Sequence, residues 1–290
     1  MAIQTATTGN LEKASNVLIG EARFTAEYNS PCINLVERHQ LGKGENTYRF
    51  IKFGQAEMSA VADGEDIIES QEFGMTYVDC EPTIVGAKFI ISDKAMRELK
   101  PAMMAVAGRM LGDGMGRKRD EDIIALFVSL DNAFGATTKY LGIQNAQACV
   151  SNCRDLKIPN PIYVVAHPNA LGYLAQSAMA IGATYYAGLL DETTRKILNN
   201  FWRGVVINNV PFFDDGNIPN ISGYNEAYGA IFSKYAMGVV ESLSPRTETD
   251  RDASASLTEL VITSDYIAVE IDGGYGASLR YMSAALATNN

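Results

Sequence analysis

Few side chains in this sequence could do chemistry. Four cysteines (Cys32, Cys80, Cys149 and Cys153) and two histidines (His39 and His167) are its whole supply of thiols and near-neutral acid–base groups. No pair of cysteines has the CxxC spacing of a zinc or redox motif. Cys149 and Cys153, in QACVSNCRD, sit one helical turn apart, but two thiols and a remote His167 fall short of the four N or S ligands of a closed zinc site. Buried, reduced cysteines are the expectation. His167 precedes Pro168 and reads as a helix-start residue rather than a general base. The carboxylate pairs Asp214–Asp215 and Glu121–Asp122 read as solvated groups, because no nucleophile, oxyanion hole or metal set accompanies them. The glycine cluster GDGMGRK at 112–118 follows no strand and has no Ser or Thr after Lys118, so it meets neither the phosphate-loop nor the dinucleotide pattern. No catalytic, cofactor-binding or metal-binding residue is assigned, no cofactor is expected, and an enzyme is not the expected class.

The whole chain agrees with a structural reading. Its 290 residues are 47% hydrophobic, enough for a buried core in one or two domains. Lys+Arg 24 against Asp+Glu 34 gives a net charge of −10, which argues against a protein that holds nucleic acid by neutralising phosphates. The best apolar run, Ala102 to Ala107, is far short of the roughly 18 residues of a membrane span. The first twenty residues show no basic stretch followed by an apolar one, so no secretory leader is expected.

The elements that would position any site can be read along the chain. The first thirty residues are rich in Thr, Ala, Asn and Gly, with only Leu11 to Ile19 hinting at a helix; they read either as an arm tied down by a neighbour or as a disordered terminus. Thr47 to Phe53 alternates Tyr48, Phe50 and Lys52 against Arg49, Ile51 and Phe53, predicting a strand in a thin two-stranded projection. An acidic tip follows, and Met75 to Val78 returns. Such a hairpin is marginal alone, so it either lies across another subunit or packs on its own domain. Glu81 to Ile91 is the clearest strand, with Val85, Ala87, Phe89 and Ile91 on one face. Ser92 or Asp93 can cap a short helix, KAMREL, and Pro101 can open a long one reaching Leu130, as one helix or as two joined near Gly112 to Gly116. Arg117–Glu121 and Lys118–Asp122 at i,i+4 predict a solvated helix face.

From about residue 140 strands and helices alternate: a buried strand PIYVVA, a helix from Pro168, a helix capped by Asp191, a hairpin turning at Asn208–Asn209, and a strand over Tyr228 to Phe232. SPRTETDRDASAS reads as a polar loop, and Glu259 to Ile271 as a long strand. Pairing this strand with the one near residue 85, beside the long helix, would make the middle unit an insertion.

This order of parts resembles the major capsid protein of tailed bacteriophages, whose Hong Kong-type fold is shared by herpesvirus floors and encapsulins. EPTIVGAKFIISDKAMREL is similar to the start of that family's peripheral domain, PAMMAVAGRMLGDGMGRKRDEDIIALFVSL to its spine helix, and NTYRFIKFGQAEMSAVADGEDIIESQEFGMTYVD to its E-loop. The resemblance implies an α+β fold with an N-terminal arm (1–42), an E-loop hairpin (43–80), a peripheral domain with a long spine helix (81–140 and 251–290) and an axial α/β domain (141–250). TELVITSDYIAVEIDGGYGASLRYMSAA would supply the closing peripheral strands.

The implied function is an icosahedral shell of many copies, as hexamers and/or pentamers, enclosing double-stranded DNA without sequence-specific binding. A portal protein, and scaffolding or decoration proteins where the shell uses them, would be partners, the location would be the virion after assembly in host cytoplasm, and no membrane would be involved. The sequence shows no long N-terminal helical segment, so any scaffold would be a separate protein. Family cross-links join an E-loop Lys to a neighbour's Asn beside a Glu; Lys43 and Lys52 are present, and no partners are assigned. The alternatives are an encapsulin-like compartment, or a soluble α/β enzyme using Cys149, Cys153 or His167.

Overall fold

The strand that Val85, Ala87, Phe89 and Ile91 announce lies at one edge of a four-stranded sheet, and the rest of the fold is built outward from it. The computed structural model describes residues 31–54, 58, 60, 74–98, 102–184, 205–221 and 225–286. In chain order the strands are β1 (Glu37–Gln40), β2 (Tyr48–Phe53), β3 (Met75–Cys80), β4 (Thr83–Ser92), β5 (Asn132–Gly135), β6 (Ile162–Ala166), β7 (Val205–Ile207), β8 (Val210–Asp214), β9 (Glu226–Ser233), β10 (Met237–Asp252), β11 (Leu257–Glu270) and β12 (Gly276–Met282). The helices are α1 (Asp93–Glu98), α2 (Ala102–Ala125), α3 (Ile143–Asp155) and α4 (Pro168–Thr184). The expected helix over Leu11 to Ile19, the hairpin tip, the role of Pro101 and the helix capped by Asp191 lie outside the described residues.

The first sheet has the order β1-β10-β11-β4, with β1 parallel to β10 and the other pairs antiparallel. The pairing of β11 with β4 runs from Leu257 opposite Ser92 to Tyr266 opposite Thr83, so the two long strands meet as expected. On β11 alternate residues Leu260, Ile262, Ser264 and Tyr266 are buried, forming the face on which α2 packs. Ser92 accepts the Ala95 N–H through its hydroxyl at 3.2 Å, stopping β4 and starting α1. From Ala102 to Ala125 the backbone is one helix, about 36 Å long at 1.5 Å per residue. Its glycines do not break it, because Ala107, Leu111, Met115 and Ile123 keep a buried stripe on the sheet side.

The second sheet has the order β5-β12-β9-β6-β8-β7 and is mixed. Val164, Val165 and Ala166 are fully buried at its centre, as the apolar run PIYVVA predicts. Asn208 and Asn209, at φ 50° and 65°, turn β7 into β8. α3 presents Ala146, Cys149, Val150 and Cys153 to the core, and α4 presents Ala170, Leu171 and Leu174. Gly229 sits where a Cβ would lie 2.4 Å from the Val165 carbonyl oxygen and 3.0 Å from the Tyr281 hydroxyl, so only glycine lets β9 run between them.

Three expectations need correction. The polar stretch 244–256 is strand as far as Asp252, because β11 supplies a hydrogen-bonding partner along Arg246 to Asp252 while both faces of that stretch stay wet. Register shifts between Glu241 and Arg246 bracket Pro245, which has no N–H to give the ladder. Next, β12 does not close the first sheet; it pairs with β9 and β5 in the second. Finally, the segment from residue 31 onward is no free arm: Cys32, Leu35, Val36 and Leu41 are buried in the chain's own core, and β1 extends its own sheet.

Gly112 lies mid-helix, and a methyl group added to its Cα would meet nothing within 4 Å. Gly112→Ala is therefore expected to raise unfolding free energy by about 0.5–1 kcal/mol. Gly229→Ala is expected to lower it by about 1–3 kcal/mol, through overpacking against backbone. Urea denaturation of the two variants beside the wild type checks both signs.

Candidate assembly surface

The two-stranded ribbon has two faces of opposite character. β2 and β3 pair antiparallel with Tyr48 opposite Cys80, Phe50 opposite Val78 and Ile51 opposite Tyr77. Facing partners share a side, so Tyr48, Phe50, Lys52, Thr76, Val78 and Cys80 form one face, and Arg49, Ile51, Phe53, Met75, Tyr77 and Asp79 the other.

The first face closes on the chain's own body. Phe50 and Cys80 are buried in a cluster with Leu41 and Val240, flanked by Ile267, Val269 and Ile271. Tyr48 stacks on His39 with ring centroids 3.6 Å apart. Lys52 reaches Asp272 at 2.5 Å and lies 5.4 Å from the centroid of the Tyr275 ring. The base of the hairpin thus packs on its own chain along this face, one of the two arrangements the sequence leaves open. Lys52, one of the two lysines considered for cross-linking, is held by that carboxylate.

The second face stays open. Ile51, Phe53, Met75 and Tyr77 are each about half exposed, at 50%, 55%, 54% and 54%. Arg49 grips Asp79 through two bonds of 2.5 and 2.8 Å and covers the Tyr77 ring at 4.1 Å. That bond holds the Asp79 carboxyl below its usual range and lifts the guanidinium. A row of four large apolar residues in water is the signature of a surface that meets something else. The chain then runs into β4, an edge strand whose Ile84 is 79% exposed.

The residues weighed for chemistry fall elsewhere; of them Cys32 and Asp215 come together, the thiol 3.4 Å from the carboxylate. All four cysteines are buried and unpaired. Burial pushes the Cys149 thiol up to about 11 and the Cys153 thiol up to about 12, away from the thiolate that reactivity needs. His167 accepts the Asn169 N–H on Nδ1 at 3.2 Å, a helix-start contact, and burial lowers its pKa. Glu121 and Asp122 pair with Arg117 and Lys118 as the i,i+4 spacing predicts.

Sequence reasoning missed the two residues between them. Arg119 is buried, with Nη1 on Glu241 at 3.0 Å, Nη2 on Ser264 at 2.7 Å and its guanidinium 4.8 Å from the Tyr266 ring centroid. Arg38 joins the same Glu241 oxygen at 3.3 Å. Asp120 is fully buried on the other side, beside an equally buried Asp215 that the sequence suggested was solvated. One signal was available: the stripe Ala107, Leu111, Met115 continues at i+4 to Arg119 and Ile123, placing the arginine on the core face. No helix among the described residues is long and apolar enough to cross a membrane.

No protein-family model matches this chain, and no curated protein matches it in sequence. Solved structures do match. The acidic stable capsid structure of Helicobacter pylori bacteriophage KHP30 superposes with a TM-score of 0.70 at 13% identity, over 98% of this chain and 100% of that one. The capsid asymmetric unit of cyanophage Pam1 gives 0.68 at 9% identity, over 98% and 100%. The mature capsid of bacteriophage PhiM1 gives 0.68 at 13%, over 93% and 92%. The fold is that of phage capsid subunits. In particular it is the tailed-phage major capsid protein fold that the order of sequence elements resembles.

The two ribbon faces separate by mutation. Phe50→Ala is expected to cost about 3–5 kcal/mol of subunit stability, as for a buried phenylalanine. Ile51→Ser, on the open face, is expected to stay within about 0.5 kcal/mol of wild type. Chemical denaturation of the unassembled subunit measures both.

Proposed function

We propose that this chain is the major shell-forming subunit of a tailed-phage capsid, many copies of which close into an icosahedral container for double-stranded DNA. The observation that carries this reading is the near-complete overlap with capsid subunits in both directions, leaving almost no part of the chain outside the shared fold. The open face of the β2–β3 ribbon supplies the physical means. On this reading residues 43–80 are the E-loop, whose outer face lies on a neighbouring copy. α2 is the spine helix, the sheet of β1, β10, β11 and β4 belongs to the peripheral domain, and the second sheet with α3 and α4, the part of residues 141 to 250 that precedes β10 together with β5 and β12, is axial and meets its equivalents at the five-fold or six-fold centres. Portal and scaffolding or decoration proteins are the further partners of such a shell.

The charge fits a container. A subunit with a net charge of −10 does not clamp phosphates, so packaged DNA is confined by the wall rather than bound to it. Each contact between copies can be weak, because a subunit is held by several neighbours at once.

Deleting Lys43 to Phe73 would test the E-loop, but it also strips Phe50 from its cluster. A sharper test replaces only the open face. Full-length protein carrying Ile51→Asp and Tyr77→Asp is expected to keep the wild-type circular dichroism spectrum and elute as small species. Wild-type protein is expected to give closed shells in negative-stain micrographs. Normal shells from the double variant would refute the ribbon as an assembly surface. Wild-type protein that never assembles, alone or with its co-expressed neighbours, would refute the capsid reading itself.

A further inference from the structure

Three segments far apart in sequence bring two carboxyl groups together in the protein interior. Asp120 comes from α2, Asp215 follows β8 in the second sheet, and Cys32 lies in the short turn of 3-10 helix, Cys32–Asn34, before β1. All three side chains are buried, and one ligand atom from each lies within 4.8 Å of the other two. The Cys32 N–H donates to Asp120 Oδ1 at 3.2 Å and the Asn217 side-chain amide to Oδ2 at 3.0 Å. The Asn217 N–H donates to Asp215 Oδ1 at 2.8 Å and the Cys32 thiol to Oδ2 at 3.4 Å. Among the described residues no cation pairs with either carboxyl: the neighbouring Arg119 is engaged by Glu241 and Ser264 instead. The groups that face Asp215 are Asp120 from α2, Cys32 from the turn and Tyr281 from β12, whose hydroxyl accepts the His167 N–H. None brings a positive charge.

Two fully buried carboxylates beside each other, with no cation paired to them among the described residues, cannot both ionise at modest cost. We propose that Asp120 and Asp215 share one proton, and that this proton latches α2, the Cys32 turn and the second sheet together, so that its loss loosens their junction. Burial, and then hydrogen bonding with Asp120, pushes Asp215 up to about 7. A bound cation would be the other way to settle two such charges. The proton is favoured because the third possible ligand, Cys32, donates its thiol hydrogen to Asp215, and burial with the two acids beside it raises that thiol away from the thiolate a metal would need.

The sign of the pH dependence follows. An unfolded aspartate ionises at about 3.9, whereas buried Asp215 keeps its proton to about 7. The fold therefore binds a proton that the unfolded chain does not, and stability falls as pH rises across that window and levels off above it. Above neutrality the pair carries two charges, and the Cys32 and Asn217 amides that bind it are the first to open.

The test is amide hydrogen exchange on the full chain, read at the Cys32 and Asn217 amides and corrected for intrinsic rates. The wild type is expected to lose protection by about tenfold between roughly pH 6 and pH 8, while Asp215→Asn, which keeps the shape without the charge, does not. The infrared spectrum of the wild type should show a protonated-carboxyl band near pH 6 that vanishes by pH 8. This second measurement stands even if the variant fails to fold. Protection that is independent of pH in the wild type, or equal losses in both proteins, would overturn the latch. So would stoichiometric zinc in metal analysis of the purified protein, since an ion would keep both carboxyls ionised.

Discussion

Everything between residues 92 and 257 must leave the β4 edge and come back beside it, because β4 and β11 are hydrogen-bonded along their whole shared length, Ser92 opposite Leu257. This long-range pairing governs the rest of the architecture. It makes β5 to β9, with α3 and α4, an excursion whose two ends are fixed to one strand pair, and β12 joins their sheet only after β11 has ended. It also decides which face of α2 is buried, since the helix begins where β4 stops and must lie back across Leu260, Ile262 and Tyr266. Such pairings carry a large loop-closure cost before any contact rewards it, so this sheet is expected to form late and to be the step the folding rate depends on.

Where α2 ends its path over the sheet it must bury charge, and it does so in two ways on adjacent residues. Arg119 goes to the first sheet and is neutralised by Glu241, with Ser264 and the Tyr266 ring completing its shell. Removing one partner of such a pair strands the other, at about 3–5 kcal/mol. Asp120 goes to the opposite side and meets another acid. The helix is thereby keyed in rotation: turning it by one residue in one direction would put the arginine where Asp120 meets Asp215, and in the other would put the aspartate against Glu241. Apolar contacts along Ala107, Leu111 and Met115 set how closely the helix packs, whereas these two charges set its angle.

Much of this fold can be read from residue order. β4 shows as clean alternation, β6 as an apolar run between a proline and a histidine, and the β7–β8 hairpin as an Asn–Asn pair that accepts positive φ. What could not be read shares a physical cause, which is that the partner lies far away. The second half of β10 looks like a loop because Ser244, Pro245 and Asp252 have no apolar face to bury, and only β11 makes it a strand. β12 carries the same alternation in either sheet, and the choice rests on Gly229 making room for Tyr281. Asp215 looks solvated beside Asp214 because the groups that enclose it, Asp120 and Cys32, are 95 and 183 positions away. For the assembly surface, alternation in β2 separated the two faces correctly, yet it could not say that Phe50, rather than Ile51, meets the chain's own core.

On the proposed capsid reading, that division of the ribbon resolves a conflict built into any self-assembling wall. A hairpin anchored nowhere would cost conformational entropy on every docking event, and one packed on both sides would have nothing left to offer a neighbour. Here Phe50, Cys80 and Lys52 settle the orientation within the subunit, so that Ile51, Phe53, Met75 and Tyr77 are presented already ordered. Preorganisation raises affinity without adding contacts, and a modest apolar face suffices when several neighbours act together. The like charge of the subunits works against association over distances of about 8–10 Å at physiological salt. An apolar, internally paired face such as Arg49–Asp79 with its flanking aromatics gains little from charge and loses little to repulsion. In a shell of such acidic subunits, closure would then depend chiefly on contacts that ionic strength does not weaken.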